Sequence, residues 1–533
     1  MTFLSLGFFA FLLAGIILFF ACPIKYRWTV LLAISVAFYA ISGVEFLPFI
    51  LLSTLTVYLA TVKIGKNWVK QDEELKKDNL DREAKKEIRN RYKAINRKYL
   101  ILALLINIGI LCAVKAGRYF IAPLNMLTSA VGSDFTFTAK MLIVPLGISY
   151  YTFSIVGYLL DVYWKRYEYE KNYFRVLLFA IYFPHILQGP IARYNKLGQE
   201  FKKELRFDMQ NVIFGIQLML WGYFKKLVIA DRLNIFLDSA FEYPENHGWF
   251  YIITMIFDVF YIYADFSGCV DIARGASKIF GIDLELNFSR PFLSKDISEF
   301  WRRWHMSLNG WFKDYVFYPL SASRPVKSFG KTLKKINAPK ELIRILLAII
   351  PVIVIWVLTG LWHGTGETYL AWGAYYAVIM SLSTAFSGNF QNLLGKLNVK
   401  TDTVTWSFIR MAKVFTMFMG GRLIVSAGGL DESIYILKSM VMSPNPWIFT
   451  NGTFWKLSAL DTKNMLIAVL ALGLLIAVDV IQEKLNGKSL RERIAEENMF
   501  TGIILTAALT AAIFIFGIYG AEYDASSFVY MAY

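Results

Sequence analysis

Apolar runs close to membrane-spanning length recur along the whole chain, separated by short basic or aromatic stretches. They predict helical spans at about 3–21, 28–42, 46–62, 99–116, 141–163, 174–190, 211–230, 249–266, 343–361, 367–386, 407–428, 464–481 and 501–519. The first run, "FLSLGFFAFLLAGIILFFAC", carries no charge and no basic leader, and "KYR" stands where a cleavage site would follow a secretory signal. It therefore reads as a retained first helix. No internal repeat and no low-complexity segment interrupts the series.

The basic residues set an expected topology. The loop "KYR" and the long segment 63–99, "KIGKNWVKQDEELKKDNLDREAKKEIRNRYKAINRKY", are separated by two spans and should share the cytoplasmic side. The loop "WKRYEYEKNYFR" (164–175) joins them by the same count. Both chain ends then fall outside the cell, and the acidic, aromatic tail "AEYDASSFVYMAY" suits that side. The basic loop also fits anionic membrane lipid.

One region departs from the pattern. The stretch 283–325 is too charged to span and too aromatic for a solvated loop. At helical period, Phe300, Trp301, Trp304, His305, Leu308, Trp311, Phe312, Tyr315 and Val316 share one face. Glu299, Arg302, Arg303, Lys313 and Asp314 lie off it. The expectation is an amphipathic helix lying in or dipping into the membrane.

Composition sharpens this picture. With 56% hydrophobic and 18% charged residues, the chain lies outside the soluble globular range. Its formal charge of +16 resides in the loops between spans, so nucleic acid is not an expected partner. Cys22, Cys112 and Cys269 lie far apart with no metal or redox spacing. No HExxH, GxSxG or Walker motif occurs, and no metal site is expected.

Four histidines remain as candidate chemistry. His305 in "RWHMS" and His363 in "LWHGT" each follow a tryptophan in apolar surroundings. Each could be a satisfied core histidine. Yet ionisable groups at membrane depth are costly, and two in matching settings point toward function. Burial keeps an imidazole neutral and able to take a proton, which general-base catalysis of acyl transfer requires. Gly360, Gly364, Gly366 and Gly373 interrupt the apolar stretch around His363, as a cavity-lining break or as a tight turn between spans. Trp304, Trp362, Asp265 and Asn309 are further candidates for lining the site, although Asp265 equally suits a helix-end cap. His185, beside Pro184, reads as structural, and His247 as a loop residue.

Several segments together resemble the membrane-bound O-acyltransferase superfamily, in the bacterial branch that O-acetylates alginate and D-alanylates teichoic acid. In order they are "PLGISYYTFSIVGYLLDVYW", "FPHILQGPIARY", "YADFSGCVDIARGASKIFGI", "NFSRPFLSKDISEFWRRWHMSLNGWFKDYVFYPL", "LTGLWHGTGETYLAWGAYY" and the closing "FVYMAY". The resemblance implies an all-α polytopic fold of roughly 11–13 transmembrane or re-entrant helices ringed around a thinned centre with a tunnel. It implies one membrane domain over 1–533: N-terminal helices (1–62), a basic cytoplasmic loop (63–99), a catalytic core (140–386) and C-terminal helices (387–533). It makes His363 the catalytic histidine and His305 the second functional one. His185 departs from the family pattern, which often has Gln there.

The expected activity is transfer of an acyl group, acetyl first, across a bacterial cell membrane. The donor is a cytoplasmic thioester, acetyl-CoA or an acylated carrier protein, with no permanently bound cofactor. The acceptor is an extracytoplasmic polysaccharide hydroxyl or a secreted or membrane-anchored acyltransferase partner. D-alanyl transfer from a carrier protein toward teichoic acid is the close rival. A transporter or flippase is the rival from another class, since broken helices and buried polar groups serve transport too.

Overall fold

The computed structural model describes residues 2–77, 80–133, 136–138, 143–242, 247–485, 489–497 and 499–519. These residues form helices joined by turns, with no strand among them. Among the described residues, seven helices are long and apolar enough to cross a membrane: 24–42, 44–75, 82–117, 209–242, 250–279, 340–363 and 462–484. The chain is a multi-pass membrane protein. The closing "FVYMAY" lies outside the described residues.

The chain divides into two compact units, residues 1–213 with 276–285, and residues 214–275 with 286–533. The first unit is built on α1 (Leu6–Ala21), α2 (Arg27–Ser42), α3 (Leu47–Leu75), α4 (Arg82–Ala130), α5 (Ile148–Tyr163) and α6 (Tyr173–Ile181). Side chains cap the helix starts that the sequence leaves exposed. Ser5 Oγ accepts from the Phe8 amide at 3.2 Å, and Asp81 Oδ1 from the Ala84 amide at 2.6 Å.

Three elements of this unit differ from the sequence expectation. The segment 63–99 is not a loop, because α3 runs on to Leu75 and α4 resumes at Arg82. Its Glu, Lys and Arg residues are strong helix formers, and pairing carries the helices past the apolar runs. Asn67 donates to Asn96 at 2.8 Å, and Glu74 accepts from Tyr92 at 2.6 Å and also from Arg91. Lys165, from the second basic loop, reaches Asp72 at 2.8 Å, so the two basic segments meet on one side. The run 174–190 breaks at Tyr182, after which Pro184 opens a single helical turn, Phe183–Ile186. α5 is no lipid-facing span, since all but two of its 16 residues are buried. It starts after Gly147, whose φ of +66° and contact with the Ile186 carbonyl leave no room for a side chain.

The second unit begins inside α7 (Met209–Tyr223), which continues through a π-helical turn (Phe224–Ala230) into α8 (Asp231–Glu242). α9 (Phe250–Ile279) is the long central helix. Then come the short α10 (Ile297–Arg303) and α11 (Met306–Phe312), followed by α12 (Arg324–Lys335). α13 (Lys340–His363), α14 (Glu367–Lys396), α15 (Val404–Ser426) and α16 (Leu430–Met442) follow. α17 (Thr462–Lys484) and α18 (Met499–Phe516) complete it.

Burial in 300–316 follows the apolar face read from the sequence, but the element is not one helix. Phe300, Trp301, Trp304, His305, Leu308, Trp311, Phe312 and Tyr315 are buried, whereas Arg302 and Lys313 are exposed. The helix breaks at His305, whose φ of +45° lies in the left-handed region. Such a conformation is strained for a side chain with a Cβ and needs surrounding contacts to persist.

Candidate active site

His363 is the last residue of α13, and Gly364 to Gly366 turn the chain directly into α14. The break therefore lies at residues 364–366, while Gly360 and Gly373 sit inside the helices. They bring the two backbones into contact. A Cβ on Gly373 would stand 2.7 Å from the Trp356 carbonyl oxygen, and one on Gly360 would stand 3.4 Å from the Gly373 Cα. Small residues at such a crossing allow close packing within a membrane. The crossing aligns Trp356, Trp372 and His363, with ring centres 5.8 Å apart for Trp356–Trp372 and 5.1 Å for His363–Trp372. Tyr369 lies nearly parallel to the His363 ring at 6.4 Å.

His305 reaches the same place from the other side. Asn309 Nδ2 spans the helix break and donates to the carbonyls of Trp301 and Trp304, each at 2.7 Å, and of His305 at 3.3 Å. The first two close the interrupted end of α10, whereas the His305 carbonyl also takes the Asn309 backbone amide at 3.2 Å. Residues 287–289 hold the other flank: the Met306 amide donates to the Asn287 carbonyl, and the Ser289 amide to that of Arg303, both at 2.9 Å. The left-handed turn is thus fixed from two directions.

The two histidines line one cavity of about 40 Å³, together with Trp301, Trp304, Leu308, Asn309, Trp356, Thr359, Tyr369, Trp372 and Arg422. That is room for a few water molecules. Trp362 does not line this cavity but packs against both imidazoles, its ring 5.9 Å from that of His305 and 4.9 Å from that of His363. Both histidines are buried, at 2% and 7% exposure.

Asn287 determines the chemistry of His305. Its Oδ1 meets the Ser307 amide at 3.0 Å, the Ser307 hydroxyl at 2.8 Å and His305 Nδ1 at 3.2 Å. A backbone N–H only donates, so the Asn287 atom facing it is the carbonyl oxygen. That oxygen only accepts, so His305 carries its hydrogen on Nδ1 and its lone pair on Nε2. Burial pushes the imidazole pKa down to about 3, so the ring is neutral at physiological pH.

One charged pair borders the cavity. Arg422 on α15 grips Asp258 on α9 through Nε–Oδ2 at 3.1 Å and Nη2–Oδ1 at 2.7 Å, with Ser426 closing the network. Sequence reasoning missed both residues. Their signal was available, because each is a lone charge in an apolar run, "MIFDVFY" and "FMGGRLIV". Asn287, Trp356 and Trp372 were missed too.

The remaining candidates fall elsewhere. Asp265 lines neither this cavity nor the larger one described next. It is fully buried against Lys226 at 2.7 Å, and Lys226 also pairs with Asp231 at 2.8 Å, so its role here is as an ion-pair partner. His185 Nδ1 donates to the Tyr182 carbonyl of its own turn at 3.1 Å. His247 packs edge-on against Phe250 and at a tilt against Tyr251. Arg303 is held by Glu299 at 2.7 Å and by Glu483 at 3.0 Å.

A second cavity, about 590 Å³, opens among α7, α9, α17 and α18. Leu474, Val478, Leu505 and Leu509 give it apolar walls; Lys225, Arg274, Arg290 and Arg491 give it cationic groups, with Asp271 and Asp479 beside them, Lys225 and Arg274 paired to Asp271 and Arg290 to Glu483. Asn287 lines it as well. One side chain therefore belongs to this cavity and to the hydrogen-bond shell of His305.

The chain matches the family model of the membrane-bound O-acyltransferases over residues 38–333, a stretch that contains His305 and ends before His363. It is 26% identical to a probable alginate O-acetylase of Pseudomonas syringae over 88% of this chain and 80% of that protein. Identity to the peptidoglycan O-acetyltransferase of Helicobacter pylori is 27%, over 78% and 73% of the two chains. Identity to the teichoic acid D-alanyltransferase of Bacillus subtilis is 32%, over 46% and 60%. With its helical fold and its family match over more than half its length, the chain is an acyltransferase and belongs to the membrane-bound O-acyltransferase family.

Proposed function

We propose that this chain carries an acyl group, acetyl in preference to larger groups, from a cytoplasmic thioester to a hydroxyl outside the membrane. The acceptor is a polysaccharide or a partner protein that completes the transfer. The observation that carries the reading is that His305 and His363, 58 positions apart in "RWHMS" and "LWHGT", line one Trp-walled cavity. His363 takes the proton of the acceptor hydroxyl as its oxygen attacks the thioester carbonyl. The carbon–sulfur bond breaks, the ester forms, and the departing thiolate recovers a proton from the imidazolium. His305, neutral with Nε2 as acceptor, orients the hydroxyl or the incoming group. The tryptophan walls keep out water, which would otherwise consume the thioester.

The wide cavity suits the donor, since its apolar walls and cationic groups match a pantetheine arm that ends in phosphate. A cavity of about 40 Å³ does not hold donor and acceptor together, so the tryptophan walls must part during turnover. The contact between Lys165 and Asp72 supports a common, cytoplasmic side for both basic segments, with the N-terminus and tail on the other side of a bacterial cell membrane. The names of the acetylating relatives favour acetyl. The 32% identity to a D-alanyltransferase keeps D-alanyl transfer from a carrier protein as the second reading.

The test is the reconstituted chain in vesicles, supplied separately with labelled acetyl-CoA and with a D-alanylated carrier protein. Label passing from acetyl-CoA to acceptor supports the first reading, and label from the carrier supports the second. His363→Ala at unchanged membrane abundance should lower transfer by about 10²–10⁴-fold, the contribution of a general base. Undiminished transfer would remove His363 from the chemistry.

A further inference from the structure

Asn287 is 1% exposed, yet its Nδ2 has no hydrogen-bond acceptor among the described residues. A buried amide with an orphaned donor costs stability that an apolar residue of similar size would not. Its other end is fully engaged, with one oxygen accepting from the Ser307 amide, the Ser307 hydroxyl and His305 Nδ1. Three donors converging on a single oxygen fix both its identity and its place. The backbone of the same residue holds Met306 at 2.9 Å, just past the strained turn at His305. The side chain and the backbone of residue 287 therefore act on one segment, residues 305–307.

We infer that Asn287 is a positioning residue, which holds His305 as the tautomer with its hydrogen on Nδ1 and keeps Nε2 available as an acceptor toward the cavity shared with His363. The inference deepens the proposed function and rests on it for its catalytic consequence. The tautomer itself does not depend on that reading. A neutral partner is required for this task. A carboxylate in the same place would accept the same three hydrogen bonds but would also draw a proton onto Nε2, which would then no longer accept. The other ionisable groups on that cavity are His363, Tyr369 and Arg422, and the charge of Arg422 is matched by Asp258. The partner of Nδ1 is the uncharged Asn287 oxygen, at 3.2 Å.

Two measurements separate the possibilities. In protein labelled with [¹⁵N]histidine, which has four imidazoles, the His305 signals (assigned by their loss in His305→Gln) should report a single tautomer protonated at Nδ1. Asn287→Ala should give mixed tautomers, and Asn287→Asp an imidazolium near neutral pH. Wild-type-like His305 signals in both variants would overturn the inference, whatever the protein catalyses. In the transfer assay with labelled acetyl-CoA, Asn287→Ala should lower kcat by about 10–100-fold, as loss of an orienting partner does elsewhere, with a smaller change in KM. Asn287→Asp should be slow at low pH and recover as the pH rises, whereas wild type shows no such limb from His305. A uniform loss at every pH would mean that Asn287 only supports the fold. Full activity of His305→Ala would overturn the functional reading instead and leave the tautomer result standing.

Discussion

The indole of Trp362 lies against both imidazoles, its ring centre 5.9 Å from that of His305 and 4.9 Å from that of His363. His305 lies at the break between α10 and α11 and His363 ends α13, so this ring is a packing wall behind both, outside the lining of the cavity they share. Trp362→Ala should remove that wall and cost about 3–5 kcal/mol of stability, as deletion of a buried aromatic does. Transfer activity should fall with it. Trp362→Phe keeps a ring in place and should recover most of the stability. Thermal unfolding in detergent and the acetyl-transfer assay check the two effects, and equal behaviour of the Ala and Phe variants would contradict the packing role.

Asp258 and Arg422 form a two-point ion pair, 3% and 11% exposed, beside the histidine cavity. Removal of either partner leaves a buried charge uncompensated, which costs about 3–5 kcal/mol. Arg422→Ala and Asp258→Ala should each lower the unfolding temperature, while the double substitution should lose less than their sum. Arg422→Lys should not rescue fully, because an ammonium is a point charge and cannot bridge both carboxylate oxygens. Additive losses in the double mutant would show that the pair contributes nothing as a pair.

Much of this was legible in the sequence, and the exceptions share a cause. Apolar runs locate the helices because a bilayer demands long unbroken stretches. The face of 300–316 was legible because burial follows helical period. Its break at His305 was not, because the left-handed turn is fixed by Asn309 four residues on and by Asn287 eighteen residues back. Asp265 drew attention as a charge in an apolar run, yet its partner Lys226 comes from the π-helical turn 39 residues earlier in the chain. The segment 63–99 reads as a loop from its charge, but charged residues also form helices when two of them pair along their length. Local pattern shows which side chains turn inward, and only tertiary contact shows what they meet there.

The buried state of His305 has a pH signature. An unfolded chain protonates its histidines near pH 6.5, whereas folded His305 resists until about pH 3. Between those values the unfolded state binds more protons, so stability should fall as the pH drops from 6.5 and should be insensitive to this group above it. His305→Gln should flatten that part of the slope. Unfolding temperatures of wild type and variant between pH 7.5 and pH 5 measure the difference, and parallel curves would mean that His305 is not held neutral. (That range runs from about one unit above the ordinary histidine value to about one and a half below it.)

Two glycines offer a matched comparison of what the crossing of α13 and α14 requires. A Cβ on Gly373 would meet the Trp356 carbonyl oxygen at 2.7 Å, and that oxygen belongs to backbone that cannot swing aside. Gly373→Ala should therefore push the two helices apart, shift Trp372 away from His363 and lower both stability and transfer. Gly473, within α17, has nothing within 4 Å of the same added atom. There the substitution meets no neighbour and gains helix propensity, so Gly473→Ala should leave transfer unchanged and stabilise by up to about 1 kcal/mol. Unfolding temperatures and acetyl-transfer rates of the two variants, measured side by side, decide the point. If Gly373→Ala behaves like Gly473→Ala, the close backbone crossing does not position His363.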